Sequence, residues 1–395
     1  MYDCHQLKAK IAQHEPIITG MTRFHDSVFA GIMASSGYDA VIIDDEHFAF
    51  DDDDCMEILR AVHAGGASCL MRISEKREDK VSHALDMGMD GIYVSNVDTP
   101  AEARTVVDAA RTSVSFDSNT TVFLMIESKE GLQNLDSILA VGGIDVIAVG
   151  PSDFSGSFGT PGIHTQQVCE AMETVYVKSR TKGIICETSV GSISDIEEGL
   201  RKEDVSFYCD SDLQMLVKQL RKRIRRTHDV EPLSERLAKR IPLQALVCLA
   251  AEPAVAEISV LSGVDVVIAD TMHGWFTERD IADFARAAHA HGGACLLAIS
   301  PEDEASTKRY VHIPVDGYFF ASEEDARRCI KNFSLFHDVL VCYPSLSEDS
   351  SVPLFSVWGY QGLRGEVIGD DVHVLQEGLN ASICAIKKAC KGGTL

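Results

Sequence analysis

The chain repeats itself. A shift of 226 residues lays GYDAVIIDDEHFAF (37 to 50) over GVDVVIADTMHGWF (263 to 276) and HAGGASCLMRIS (63 to 74) over HAHGGACLLAIS (289 to 300). The same shift lays MDGIYVS (89 to 95) over VDGYFFA (315 to 321), with no gap between the three blocks. Similarity held in one register over so long a span marks a duplicated structural unit. A chain of 395 residues is also too long for one ordinary domain. The expected organisation is a domain over residues 1–228, a linker over 229–242 and a shorter second copy over 243–395. The polar, proline-containing HDVEPLSERLAKR (228 to 240) is the expected junction.

Within the first unit, short β-branched runs alternate with longer amphipathic stretches, the signature of βα units around a parallel sheet. Eight strands are expected: PIITGMT (16 to 22), DAVIIDD (39 to 45), SCLMRIS (68 to 74), DGIYVS (90 to 95), TVFLMIE (121 to 127), IDVIAVG (144 to 150), GIICE (183 to 187) and VSFYC (205 to 209). Helical patterns such as DDCMEILRAVHAGG and IEEGLRKED lie between them and end in Gly or charged residues. Eight such units in this length give an α/β fold, a TIM-like (β/α)8 barrel. The second copy carries six or seven strand patterns, so its barrel is expected to be degenerate and incomplete.

Charge and composition narrow the function. The formal net charge of −24 repels a phosphate backbone, so nucleic acid is not an expected partner. The one basic run, KQLRKRIRR from Lys218 to Arg226, closes a helical pattern, where cations favour the helix dipole. No stretch has the roughly 20 apolar residues of a membrane span, and the N-terminus lacks a signal segment. A cytoplasmic protein without a membrane partner is expected. The twelve cysteines form no CxxC pair, and Cys69, Cys186, Cys248 and Cys295 sit in apolar runs, as buried reduced thiols do.

A TIM barrel builds its active site at the C-terminal ends of its strands. Asp44, Glu46 and His47 follow strand two, Arg72 ends strand three, Glu127 ends strand five and Asp153 follows strand six. Carboxylates converging from adjacent strands are hard oxygen ligands for Mg²⁺ or Mn²⁺. His47 beside Asp44 is a candidate general base, and Arg72 offers a planar fork for a carboxylate or enolate oxygen. Taken singly, each has a structural reading. DEH can be a loop cap, Arg72 can pair with Glu46, and Glu127 and Asp153 can cap the helices after them. Their joint position on one rim favours chemistry.

The stretches IIDDEH, LMRIS, HALDMGMDGIYVSNVDTPAEAR and MIESKEGLQNLDSILAVGGIDVIAVGPSDFSGSFG resemble the HpcH/HpaI family of metal-dependent pyruvate aldolases, from about Leu7 to Arg223. The resemblance implies a carbon–carbon lyase acting on a 2-oxo acid and an aldehyde through a metal-bound pyruvate-type enolate. It implies Glu127 and Asp153 as ligands of a divalent ion, Mg²⁺ or Mn²⁺ with Co²⁺ and Zn²⁺ as alternatives. It further implies His47 with Asp44 as the base pair, Arg72 on the substrate's carboxylate and oxo group, and Gly150, Pro151 and Ser152 at the substrate. Asp86 matches a further acidic position of the family. It precedes strand four, away from the rim, and so would reach a neighbouring domain's or subunit's site. A homo-oligomer is implied, in which the second domain takes a partner subunit's place. Other readings are an enolate-using decarboxylase, a carbon–carbon bond-forming enzyme of specialised metabolism, and a non-catalytic scaffold. Two departures stand out. Met125 occupies the usual place of a Gln, and RTSVSFDSNTT (111 to 121) is shorter than the family's segment there.

At the 226 shift Asp44 and His47 become Asp270 and His273, but Glu46 becomes Met272, Arg72 becomes Ala298 and Asp86 becomes His312. No Glu ends VLVCYPS (339 to 345), and FSVWGYQGLRG (355 to 365) has no Asp in place of Asp153. The second copy is therefore expected to lack a metal site, with Asp270 and His273 as a structural pair. Arg364 and Trp358 are weak candidates for supplying a missing pocket wall.

Overall fold

The computed structural model describes residues 5–113, 120–160, 162–190, 206–223, 236, 239, 241–274, 276–300, 313, 315–332, 340–345, 354–357 and 364–392. The IEEGLRKED helix pattern, most of the expected junction, His312 and Trp358 lie outside them, as does the side chain of Arg364.

The first barrel closes on itself through eight parallel strands. They are β1 (Ile17–Thr22), β2 (Ala40–Asp44), β3 (Ser68–Ile73), β4 (Gly91–Val94), β5 (Thr121–Ile126), β6 (Val146–Val149), β7 (Ile185–Val190) and β8 (Ser206–Cys209). All eight expected strands are present. The closing seam pairs Ile17 with Ser206 and Thr19 with Tyr208. Strands covered on both faces read as continuous apolar runs, and alternate residues point inward. Ala40, Ile42, Leu70, Phe123, Met125, Val146, Ala148 and Ile185 thus form the interior cluster. The helix His5–Ala12 adds Leu7 and Ile11 to the same cluster. Burying each such side chain contributes about 1.5–3 kcal/mol. Lys8 on that helix binds Asp145 at 2.6 Å and Lys10 binds Asp39 at 2.6 Å, both aspartates lying just before strands.

The second sheet comprises β9 (Leu243–Cys248), β10 (Val266–Asp270), β11 (Ala294–Ala298), β12 (Gly317–Phe319), β13 (Leu340–Ser345), β14 (Leu354–Val357) and β15 (Arg364–Asp370). It is closed as well, so the degenerate copy is nevertheless a complete ring of seven strands. The strands β9 to β12 begin 226 residues after β1 to β4 respectively. Six strands share one direction, whereas β14 runs antiparallel to both β13 and β15. The seam pairs Gly365 with Leu243, as Ser206 pairs with Ile17 in the first barrel. One reversed strand therefore stands where the first barrel has β6 and β7. The interior is apolar, with Leu243, Ala245, Val266, Ile268, Leu296, Ala298 and Cys342.

By compactness the chain divides into Met1–Leu213 with Leu379–Leu395, and Gln214–Gly378. No helix among the described residues is long and apolar enough to cross a membrane. The basic run ends the helix Asp212–Arg223, where Arg223 pairs with Glu377.

Candidate active site

The C-terminal rim of the first barrel gathers the expected polar residues. Asp44 is the last residue of β2 and fully buried. Its Oδ2 accepts a hydrogen bond from Arg23 Nε at 3.0 Å. Its Oδ1 has no hydrogen bond but lies 3.5 Å from both Arg72 Nη1 and His47 Nδ1. His47 is thus beside Asp44 without being held by it, and its side chain is 52% exposed. Arg23 follows β1 directly, and its guanidinium also lies 5.5 Å from the centre of the Phe48 ring. It grips both ends of the turn that carries His47.

Arg72 faces inward from β3 in register with Asp44 and Tyr93. Nε donates to Ser95 Oγ at 3.0 Å, Nη1 to Met21 sulfur at 3.4 Å, and Nη2 pairs with Glu46. Ser95 Oγ in turn donates to Glu46 Oε2 at 2.6 Å. Burial lowers the Arg72 pKa, but the Asp44 and Glu46 carboxylates outweigh it and raise the value overall. The pairing with Glu46 is formed, so a substrate carboxylate at Arg72 must share the guanidinium with it.

Glu127, one residue beyond β5, is 1% exposed. Asn96 N donates to Oε1 at 2.7 Å, and Oε2 is buried with no partner. The helix after it, Lys129–Gln133, is capped by Ser128, so Glu127 is not its cap. Asp153 sits exposed in the first turn of the helix Pro151–Phe158, whose cap is Gly150. Burial pushes the Glu127 carboxyl up to about 7; the Asn96 N–H opposes that shift and the Asp153 carboxylate adds to it. A Cβ at Gly150 would overlap Glu127 Oε2, so glycine is required there for the carboxylate to fit.

Two places offer carboxylates to a cation. Ligand atoms of Asp44, Glu46 and His47 lie within 4.8 Å of one another. A cation there would meet the guanidinium groups of Arg23 and Arg72, which already neutralise both carboxylates. Glu127 and Asp153 fit better, since a buried carboxylate oxygen without a donor loses its hydration uncompensated. Oxygen donors of this kind suit a hard divalent ion.

Asp86 ends the helix Glu78–Asp86 and accepts from Ser113 Oγ at 2.9 Å, so the structure does not bring it to the rim. Beneath the rim, Glu187 is buried and accepts hydrogen bonds from Thr19 Oγ1 and Tyr93 OH at 2.6 Å each, and from Ser206 Oγ. Burial raises its pKa against the pull of those hydroxyls. Sequence reasoning missed Arg23, Ser95, Asn96 and Glu187. Arg23 and Glu187 gave a signal, one as a charged residue directly after a strand and the other as the last residue of the expected strand GIICE.

The rim of the second barrel is different. Asp270 Oδ1 accepts from the backbone N–H groups of Met272 and His273, and Oδ2 lies 2.8 Å from His273 Nδ1. That is a loop-closing arrangement, with the His273 side chain 72% exposed.

Residues 25–211 match the family model described as HpcH/HpaI aldolase/citrate lyase. A hydroxypyruvate/pyruvate aldolase of Rhizorhabdus wittichii is 30% identical over 199 residues, which is 43% of this chain and 79% of that protein. A 2-keto-3-deoxy-L-rhamnonate aldolase of Salmonella gallinarum is 32% identical over 159 residues, covering 34% of this chain and 60% of that protein. The crystal structure of an HpcH/HpaI aldolase/citrate lyase family protein from Burkholderia cenocepacia superposes with a TM-score of 0.52 at 22% identity. That superposition spans 55% of this chain and 97% of that one.

Proposed function

Since the chain belongs to the HpcH/HpaI aldolase/citrate lyase family, we propose that its first barrel, within residues 1–228, is a divalent-metal-dependent carbon–carbon lyase acting on a 2-oxo acid and an aldehyde. The observation that carries this reading is the unpartnered, buried Oε2 of Glu127 on the barrel rim near Asp153. The aldolase names of the relatives point to the same reaction class. Glu127 and Asp153 would hold the ion, Mg²⁺ or Mn²⁺ by their oxygen chemistry. When bound, it supplies the Lewis acidity that makes the carbon next to the 2-oxo group acidic.

The chain's own residues supply the rest. Arg72, fixed by Ser95 and Glu46, presents positive charge toward an oxo oxygen that gains negative charge in the reaction. His47 is exposed enough to exchange a proton with the aldol hydroxyl or with water. The Gly150–Pro151–Ser152 turn leaves space at the ligand carboxylate, and a bulkier wall is excluded there. The second barrel, residues 243–395, reads as a duplicated copy without the metal site.

The test is exchange of the pyruvate methyl protons in D₂O with Mg²⁺ or Mn²⁺, read by NMR after removal of paramagnetic metal. Metal-dependent exchange is expected in the wild type and its loss in Glu127→Gln. Absence of exchange with every divalent ion would overturn the pyruvate-type reading.

A further inference from the structure

Asn96 and His14 are the non-glycine residues with positive φ among the described residues, at 52° and 53°. His14 lies in the turn that ends the first helix, where a left-handed residue is ordinary. Asn96 stands instead at the catalytic rim, directly after β4 and Ser95. Its neighbours are pinned on both sides. Ser95 N donates to Ile73 O at 3.0 Å and Val97 N donates to Met125 O at 3.0 Å. Between these ladder bonds, the left-handed backbone of Asn96 turns its own N–H out of the sheet and onto Glu127 Oε1 at 2.7 Å. A hydrogen bond to an ionised acceptor is of the strong kind. It occupies one carboxylate oxygen and leaves the other, Oε2, bare.

We propose that Asn96 is a positioning residue whose left-handed backbone orients Glu127 for one-oxygen binding of a divalent cation. The proposal rests on Glu127 being the cation ligand. A left-handed backbone is nearly free for Gly, tolerated by Asn, and a genuine outlier for a β-branched residue. Forced into that conformation, Val relaxes by turning the 95–96 peptide away from Glu127, and cation binding must then reverse that turn.

The test is titration of the metal-free, full-length protein with Mn²⁺ alone, reading free Mn²⁺ by electron paramagnetic resonance, alongside thermal melts without metal. Asn96→Gly should bind Mn²⁺ within about twofold of wild type, and Asn96→Val about tenfold more weakly. Asn96→Ala, which is milder, should fall between them and serves if the Val variant does not fold. Equal weakening in the Gly, Ala and Val variants would overturn the proposal, because the side chain would then be responsible. A lowered melting temperature in Ala and Val with unchanged Mn²⁺ affinity would also overturn it, leaving Asn96 a purely structural strain. Glu127→Gln is the control that separates the two readings. If that variant binds Mn²⁺ like wild type, the metal-site assignment itself falls, and the role of Asn96 with it.

Discussion

The two barrels are alike at the N-terminal ends of their strands and unlike at the C-terminal ends. In the first, Asp39 binds Lys10 and accepts from Ile18 N at 2.8 Å. In the second, at the 226 shift, Asp265 binds Arg236 and accepts from Gln244 N at 2.7 Å. His63 and Cys69 N share Asp90, and His289 and Cys295 N share Asp316, at distances of 2.6–2.9 Å. One contact at the C-terminal ends, across the closing seam, is repeated as well. Asp212 accepts from Arg23 N at 3.0 Å, and Asp371 accepts from Leu249 N, its counterpart at the same shift, at 2.9 Å. Of the candidate site residues on the rim, by contrast, the described part of the second barrel keeps only Asp270 and His273. The bottom of a barrel maintains the fold and the top carries chemistry, so the two ends are under separate constraints.

That contrast can be broken most severely at the histidines. His47→Asn should slow metal-dependent pyruvate exchange by about 10²–10⁴-fold, the usual worth of a general base. His273→Asn should leave the exchange rate unchanged. Equal effects would erase the distinction between the rims. The shared bottom face comes next. Asp265→Ala removes the carboxylate that pairs with Arg236, where both side chains are at most 10% exposed, and should cost about 3 kcal/mol in denaturant unfolding. Asp39→Ala, with Lys10 34% exposed, should cost about 1 kcal/mol. The reverse order would mean that burial does not set what each repeated pair contributes.

The seam sharpens the comparison through pH. Burial pushes Asp212 up to about 6 and Asp371 up to about 7. Both lie above the unfolded value near 3.9, so the folded state binds the proton more tightly. The resulting stability is fully present below about pH 4 and is lost as pH rises through 6 to 7. Unfolding free energy should therefore fall by roughly 3 kcal/mol for Asp212 and roughly 4 kcal/mol for Asp371 across that window. The fall should persist to higher pH for Asp371 than for Asp212. Asp371→Asn should flatten the upper part of the profile, measured by urea unfolding at successive pH values.

Much of this is legible in the amino-acid sequence. Strands announce themselves through short apolar runs, and the 226 shift placed β9 to β12 correctly. Glu127, Asp153, Asp44, Glu46, His47 and Arg72 are legible as candidates because a barrel has one chemical rim. The reversal of β14 was not visible, since LFSV reads the same in either direction. The partners of Asp44 were misjudged because His47 is three residues away in sequence, whereas Arg23 approaches only when β1 and β2 pair. Asn96 acts through its backbone, which leaves no trace in a side-chain pattern. Glu187 is satisfied by hydroxyls from β1, β4 and β8, a constellation assembled only by closing the barrel.

The reversal of β14 has a further consequence for what mutation can do. A side chain at the C-terminal end of β6 opens onto the first barrel's rim, but the C-terminal end of β14 opens onto the opposite face. On that rim β14 presents its N-terminal end instead, so a carboxylate placed like Asp153, on the segment following the strand, would emerge on the wrong face. Restoring Arg at 298 and Glu at 272 would, with Asp270 and His273, rebuild the Arg and acid–base part of the constellation and leave the two carboxylates matching Glu127 and Asp153 missing. A counterpart of Glu127 could be placed after the parallel strand β13, but a counterpart of Asp153 would need the strand before it turned round, which substitution alone does not do.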